Sequence, residues 1–246
     1  MKKLFLIISA FVALNAYSLT QAQSFLPNRN GLENTFNIAS DTSIGTGFLI
    51  KNNNQEFLIT ARHLFRKKIK NNEEVLITVC LNNVNKVFKV KIYLHQNPNI
   101  DIAVLKIPQS ISQFPSLLLK GGDSYFLAQE CLFFGYPLNS LGSITKEGKK
   151  IPLVKRAIIS AIYDENGIDY LLLDGHNNPG FSGGPLLTYS HQMENQYIIG
   201  VITAYYPQPH KIKLNDTIPP ITFNENSGII VAFPSQYILE ILESIH

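Results

Sequence analysis

The most informative stretch of the sequence is Asn178-Pro179-Gly180-Phe181-Ser182-Gly183-Gly184-Pro185-Leu186. Glycines flank its serine, and glycine adopts backbone angles that other residues cannot, so another main chain can approach closely. Such a turn presents the Ser182 hydroxyl without hindrance beside free backbone N–H groups. The pattern fits a nucleophilic serine, but glycine-rich turns that contain a serine are usually only structural. The interpretation therefore depends on partner residues elsewhere in the chain.

Two candidate partners precede the serine. Residues 56–63 have the pattern of a strand and a short turn that ends at His63, whose ring could act as a general base. Asp101 stands at the start of the apolar residues 102–105. A carboxylate there can accept from one imidazole nitrogen and stabilise the imidazolium that forms when the other nitrogen takes the serine proton. The predicted catalytic residues are therefore His63, Asp101 and Ser182, in that chain order.

This order and its flanking residues resemble the chymotrypsin-like (trypsin-fold) serine peptidases, and the local pattern is most similar to the bacterial HtrA/Deg branch. Further matching segments are residues 43–50, 122–137, 200–203 and 228–235. Because several spaced motifs agree, the resemblance is more specific than any one of them. It implies an all-β fold of two six-stranded antiparallel β-barrels (a trypsin-like fold) with a short C-terminal helix.

Short apolar segments separated by Asn, Gly and Pro agree with this fold. The predicted units are a first barrel at about 40–107, a linker at 108–122, a second barrel at about 123–234 and a closing helix at 235–245. His63 and Asp101 would lie on the first barrel and Ser182 on the second, so the active site would occupy the cleft between them. Residues 142–153 and 207–227 are predicted to be loops that carry selectivity or block access.

The resemblance also implies a mechanism, which is peptide-bond hydrolysis through an acyl-enzyme intermediate. Ser182 would attack the scissile carbonyl, and the backbone N–H groups of Gly180 and Ser182 would form the oxyanion hole. Asp174 lies closer to Ser182 in sequence than Asp101 does, but the resemblance gives it a structural role near the specificity pocket. This mechanism needs no metal or organic cofactor, and no His or Cys spacing resembles a zinc site.

A pocket for the substrate residue that precedes the cut is predicted from the same resemblance. His176 falls at its base, Tyr205 at its wall, and Thr203 in the strand that lines the substrate channel. Two large side chains favour small aliphatic substrate residues, whereas a protonated His176 would favour an acidic one. A third possibility is that His176 turns away and is hydrogen-bonded within its own turn. Because the base carries no carboxylate, we expect poor cleavage after Lys or Arg.

Two departures from the family limit what the resemblance implies. Phe181 occupies the position where animal trypsins carry an aspartate that pairs with a newly cut N-terminus, so activation of that kind is not expected. HtrA proteins carry one or more PDZ domains after the peptidase domain, whereas we expect none after the closing helix of this chain.

The N-terminal segment predicts export. Two lysines precede an apolar run at residues 4–14, and small residues occur near Ala16 and Ala22, which is the pattern of a secretory signal peptide. The run is too short to span a bilayer. We therefore predict a signal peptide at 1–22, cleaved after Ala22, and a secreted or periplasmic peptidase domain at 23–246 without a membrane span.

Composition narrows the function classes. The formal charge of +3 includes the two lysines of the predicted signal peptide, and no basic stripe with interleaved aromatic residues is present, so nucleic-acid binding is not expected.

The cysteines are Cys80 and Cys131. Export would permit a disulfide between them, but their positions in separate apolar strands favour two free, buried thiols. The sequence leaves the oligomeric state and the natural substrate open.

The sequence is compatible with three functions. The first is an exported serine endopeptidase that acts on protein or peptide substrates. The second is a catalytically silent peptide-binding or adhesive scaffold, since a triad can be intact in sequence yet misaligned in space. The third, an α/β-hydrolase esterase, is disfavoured because the residues after Ser182 have a strand pattern and His63 precedes the serine.

Overall fold

The computed structural model describes residues 29–41, 43–66, 68–122, 124–137, 142–145, 148–190, 193–212 and 221–245. The predicted signal peptide and its cleavage site after Ala22 lie outside these residues. The helices whose bounds lie within the described residues are α1 (Arg29–Glu33) and α2 (Gln236–Glu243). The strands are β1 (Thr35–Ala39), β2 (Ile44–Asn52), β3 (Gln55–Thr60), β4 (Glu73–Leu81), β5 (Val84–Leu94), β6 (Ala103–Lys106), β7 (Leu118–Leu119), β8 (Glu130–Gly135), β9 (Ser143–Ile144), β10 (Lys150–Ile151), β11 (Leu153–Glu165), β12 (Ile168–Asp174), β13 (Pro185–Ser190), β14 (Met193–Ile212) and β15 (Ile221–Pro234).

The first six strands form a closed antiparallel barrel in the order β1-β2-β3-β6-β5-β4. From Val87 onward in β5 and in the second half of β4, buried and more exposed residues alternate, because one face of an antiparallel sheet packs on the core and the other faces water. The strand β1 lies before residue 40, where the predicted first barrel begins. It pairs with both β2 and β4 and thereby closes the barrel.

The second sheet contains seven strands in the order β13-β8-β11-β12-β15-β14-β7. Because β13 pairs with β14 as well as with β8, six of these strands are joined in a closed circuit. The seventh, β7, pairs in parallel with β14 and comes from the predicted linker. The predicted fold class, all-β with two six-stranded antiparallel β-barrels and a short C-terminal helix, is confirmed. The closed circuit of six strands is the second barrel, and β7 is an addition to it.

Asparagine-rich turns set the register of three hairpins. The dipeptides Asn53-Asn54, Asn82-Asn83 and Asn166-Gly167 each have positive φ at both residues. They join strands whose end residues pair directly across a two-residue loop. Such turns match the twist of the flanking strands, and Asn and Gly tolerate the left-handed backbone that they require. Local sequence therefore specifies these strand pairs.

The prediction that residues 207–227 form a loop is wrong for the described part of that range. Strand β14 continues to Ile212 and β15 begins at Ile221, and the two pair from Pro207 opposite Asn226 to Ile212 opposite Ile221. The prolines in this range disfavour a continuous strand, but a strand that pairs with another strand on one side only can tolerate them. Residues 213–220, between the two strands, are not described. The other predicted loop, 142–153, includes the short paired strands β9 and β10.

The hydrophobic core has three parts. One lies inside the first barrel and one inside the second. The third is shared, since buried residues of the first barrel, the second barrel and α2 pack together. Members of this shared core include Phe48, Ile102, Phe134, Val201 and Ile241. No helix in the described part of the chain is long and apolar enough to cross a membrane.

Both cysteines are free. Cys131 is buried on β8, where burial raises the pKa of its thiol to about 12 and leaves it unreactive at neutral pH. Cys80, the second-last residue of β4, is only half-buried. The prediction of two free thiols is thus confirmed, whereas the prediction that both are buried is wrong for Cys80.

Candidate active site

Asp101 and His63 form a two-point contact. The strand β3 ends at Thr60, and a short 3-10 turn over Arg62–Leu64 then carries His63. One carboxylate oxygen of Asp101 accepts from the His63 backbone N–H at 2.8 Å, and the other lies 2.6 Å from Nδ1 of the ring. Because the carboxylate accepts from Nδ1–H, Nε2 of the neutral ring is left without a proton. The ring therefore has both the tautomer and the orientation of a general base.

The pKa of His63 reflects two opposing effects. Burial of the ring lowers it, whereas the hydrogen bond to Asp101 and the negative charge of that carboxylate raise it. The two effects of Asp101 together exceed the effect of burial, so the pKa of His63 is raised above the ordinary value of 6.5. The imidazolium is thus the form that the site stabilises.

The turn of residues 178–184 brings Ser182 next to the end of β3. Within it, the Phe181 N–H donates to the Asn178 carbonyl at 3.1 Å, and the Gly183 N–H donates to the Ile202 carbonyl on β14 at 2.7 Å. Gly183 has φ of +85°, and a Cβ there would lie 2.2 Å from the Thr60 hydroxyl. Only glycine allows this approach. It holds the serine close to the turn that carries His63.

The Ser182 hydroxyl donates to the backbone carbonyl of Thr203 at 3.1 Å. Thr203 is buried on β14. A hydroxyl has one proton to donate, so the hydrogen bond from Ser182 to His63 that the predicted mechanism requires is not made in this structure. Rotation of the serine side chain would be needed to form it, and catalytic hydrogen bonds often tighten only when substrate binds.

Thr46 on β2 orients the turn that carries Ser182. Its hydroxyl donates to the Gly180 carbonyl at 2.6 Å and accepts from the Tyr136 N–H at 3.0 Å. Its backbone N–H donates to the Ser182 carbonyl at 2.9 Å. Both turn carbonyls therefore face β2, while the N–H groups of Gly180 and Ser182 find no acceptor among the described residues. Free N–H groups are what an oxyanion hole requires.

The predicted pocket residues lie on two adjoining segments. Thr203 and the half-buried Tyr205 are on β14. The His176 side chain is exposed, and Asn177 beside it is buried, with its side-chain N–H donating to the Ala204 carbonyl at 3.2 Å. The Asn177 side-chain oxygen is buried without a hydrogen-bond partner among the described residues. The pocket roles of His176, Thr203 and Tyr205 stay predictions.

Sequence reasoning missed three residues around this site, which are Thr46, Lys155 and Asn177. Thr46 gave a weak signal as a polar residue between glycines in an apolar strand. Lys155 gave none, because it is one of several basic residues near the start of β11. Among the described residues, no cluster of three His, Cys, Asp or Glu side chains is placed to hold a metal ion.

A comparison with protein families gives a match to the family described as Trypsin-like peptidase domain over residues 45–193. The matched range contains His63, Asp101 and Ser182. A search of curated proteins found no match.

Solved structures of proteases have the same fold. An HtrA-type protease, AlgW with tripeptide, is 23% identical with a TM-score of 0.60, and the alignment covers 88% of this chain and 61% of that one. The serine endoprotease from Yersinia pestis is 20% identical with a TM-score of 0.58, covering 89% and 67%. The Rv3671c protease in its inactive form is 18% identical with a TM-score of 0.56, covering 87% and 90%. At these identities the likeness shows the fold, and this chain spans less than two thirds of the AlgW chain.

Proposed function

The chain belongs to the trypsin-like peptidase domain family, and we propose that it is a serine endopeptidase in which His63, Asp101 and Ser182 form the catalytic triad. The observation that carries the proposal is the two-point contact of Asp101 with His63. A carboxylate that binds both the backbone and Nδ1 of one histidine fixes the ring, as a general base requires. The substrates proposed are proteins or peptides.

In the proposed mechanism, Ser182 first turns from the Thr203 carbonyl to Nε2 of His63. His63 takes the hydroxyl proton while the serine oxygen attacks the scissile carbonyl, and Asp101 stabilises the imidazolium. The N–H groups of Gly180 and Ser182 stabilise the oxyanion. His63 then protonates the leaving amine. Water, deprotonated by His63, then attacks the acyl-enzyme carbonyl. The ester bond to Ser182 breaks, the serine oxygen takes its proton back from His63, and the peptide with the new carboxyl terminus is released.

Export is part of the proposal. Two lysines, an apolar run and small residues near Ala16 and Ala22 support a cleaved signal peptide and a secreted or periplasmic location. The mature protein would begin at Gln23, and its N-terminal residue can be determined on protein expressed from its own start.

The proposal is tested by replacing the nucleophile. Ser182→Ala should lower kcat on a casein or peptide substrate by about 10⁴- to 10⁶-fold, because removal of a triad member typically costs this much. It should also abolish covalent labelling by a fluorophosphonate. Ser160→Ala, at an exposed serine on β11, is the matched control and should keep both properties. Casein cleavage by Ser182→Ala at the wild-type rate would refute the triad.

One observation favours the second candidate, a catalytically silent peptide-binding scaffold. The Ser182 proton is donated to Thr203 and not to His63. If that hydrogen bond persists when peptide binds, the serine is not activated. Wild-type protein that binds peptides but neither cleaves them nor reacts with the fluorophosphonate would support the scaffold and exclude the peptidase.

A further inference from the structure

Lys155 makes contact with the turn that leads to the predicted nucleophile. Its side chain leaves β11, and Nζ donates to the backbone carbonyl of His176 at 2.5 Å and to the side-chain oxygen of Asn178 at 3.0 Å. The same nitrogen lies 5.2 Å from the centre of the Phe181 ring. An ammonium has three N–H donors, so it can serve all of these contacts at once. They lie within the residues that immediately precede Ser182.

Phe181 connects Lys155 to the oxyanion hole. It stands between Gly180 and Ser182, whose N–H groups find no acceptor in the part of the chain that the structure describes. The Phe181 side chain is fully buried. Its ring packs edge-on against Phe133 with the ring centres 5.1 Å apart. Phe133 on β8 is also the residue that pairs with Lys155 across the sheet. One pair of strands therefore holds both the ammonium and the ring.

The partners of Lys155 distinguish it from neighbouring basic residues. Arg156 forms an ion pair with Glu130, and Lys149 forms one with Glu33. Among the described residues, the hydrogen-bond acceptors of Lys155 are a carbonyl and an amide oxygen, and no carboxylate faces it. Partial burial lowers the pKa of Lys155. A partly dehydrated ammonium binds dipoles and a ring face more strongly than one in water does.

We propose that Lys155 is a positioning residue, whose ammonium fixes the turn of residues 176–182 and thereby the direction of the Gly180 and Ser182 N–H groups. The inference rests on the proposed function, because it assigns a catalytic consequence to that fixed direction. Lys155 does not touch the reacting atoms. It acts through the His176 carbonyl, the Asn178 side chain and the Phe181 ring.

The test compares two substitutions of Lys155 with a control. Lys155→Met keeps most of the side-chain length and removes the ammonium, whereas Lys155→Arg keeps a positive charge and several N–H donors. Lys89→Met removes a lysine of the first barrel that pairs with Glu74. For each variant, kcat and KM on a peptide substrate and the rate of fluorophosphonate labelling are measured, together with the melting temperature.

The expected result is a change in kcat rather than in KM. Removal of one oxyanion-hole donor typically costs 10²- to 10³-fold in kcat, and misplacement of a donor costs less. Lys155→Met should therefore lower kcat and the labelling rate by about 10- to 100-fold, with KM within about twofold of wild type. Lys155→Arg should recover most of the loss, and Lys89→Met should match wild type. Full kcat in Lys155→Met, or an equal loss in the Arg variant, would overturn the proposal.

Hydrogen exchange separates this proposal from the proposed function. Backbone amides of residues 178–183 should exchange faster in Lys155→Met than in wild type, whether or not the protein has peptidase activity. Lys89→Met should leave their exchange unchanged. If wild type proves inactive, the triad fails but faster exchange still supports the role of Lys155. Unchanged exchange in a folded Lys155→Met protein would refute that role, even if the peptidase is active.

Discussion

Two side chains at the residue scale determine how the site responds to pH. Asp101 gives one oxygen to the backbone of His63 and the other to its ring. The bond to the backbone keeps the carboxylate in place whether or not the ring is protonated. The bond to Nδ1, with the charge of Asp101, raises the pKa of His63 against the opposing effect of burial. Activity and stability should therefore depend on this pair in opposite ways.

We expect the activity to rise with pH as His63 loses its proton, with a midpoint above the ordinary histidine pKa of 6.5. In Asp101→Asn the burial remains and the charge is lost, so the midpoint should move to lower pH. The kcat should fall by about 10⁴-fold at the same time. The measurement is kcat/KM as a function of pH for both proteins. An acid limb that does not move in Asp101→Asn would show that another group titrates there.

The stability contribution of the pair has the opposite sign. Because the pKa of His63 is higher in the folded state than in the unfolded state, protonation favours folding. This contribution is fully present below the unfolded pKa of about 6.5 and is lost as pH rises through the folded pKa. The pH at which we expect the protein to gain activity is thus the pH at which it loses this part of its stability.

The candidate triad could be proposed from sequence, whereas its supports could not. His63, Asp101 and Ser182 each follow a local pattern, and their order along the chain matches a known family. Thr46 bonds to Gly180 across 134 positions, and Lys155 bonds to His176 across 21. Such contacts exist only after strands have assembled, so neither periodicity nor composition can indicate them.

At the scale of elements, the strand β2 of the first barrel binds the turn of residues 178–184, which carries Ser182 and belongs to the second barrel. Thr46 binds this turn through its backbone N–H and through its hydroxyl. Hairpins with Asn-Asn and Asn-Gly turns follow from local sequence. The long pairing of β14 with β15 does not, because Pro207 and Pro209 suggest a loop. Strand pairing there overrides local propensity.

Thr46→Val tests the connection between β2 and the turn. The substitution keeps the shape and removes the hydroxyl, so the Gly180 carbonyl and the Tyr136 N–H each lose a buried partner. We expect a loss of about 1–3 kcal/mol in the free energy of unfolding. We also expect a fall in kcat of roughly 10- to 100-fold, because the turn shifts. Chemical denaturation and steady-state kinetics measure the two effects.

The matched control is Thr188→Val on β13. Thr188 is also buried and hydrogen-bonded, but its partner is the side chain of Gln129, away from the turn. Its loss should reduce stability and leave kcat unchanged. Equal kcat values for the two variants would show that Thr46 contributes only to stability.

At the scale of the whole molecule, the two barrels share a core. Ile102, which follows Asp101, packs in one cluster with Val201 of β14, which lies two residues before Thr203. The helix α2 contributes Tyr237, Ile238, Ile241 and Leu242 to that cluster. Their helical spacing in the sequence agrees with the closing helix predicted at 235–245. Their contact with the first barrel could not be inferred from spacing, because it depends on how the two barrels dock.

The shared core predicts that damage to α2 weakens both barrels. Ile241 is 1% exposed, and its replacement by Ala should cost about 2–5 kcal/mol, as is typical for a large buried side chain. Glu243→Ala, at an exposed position of the same helix, should change the free energy of unfolding by less than about 0.5 kcal/mol.

Hydrogen exchange should show that Ile241→Ala reduces the protection of amides in β3 and β6 as well as in β12 and β15. The His63–Asp101 pair lies on the first barrel and the Ser182 turn on the second, so activity requires that both barrels stay folded. The temperature at which Ile241→Ala loses activity should therefore fall by the same amount as its melting temperature. Protection that falls in the second barrel alone, with β3 and β6 unaffected, would mean that the barrels unfold independently and that the shared core does not couple them.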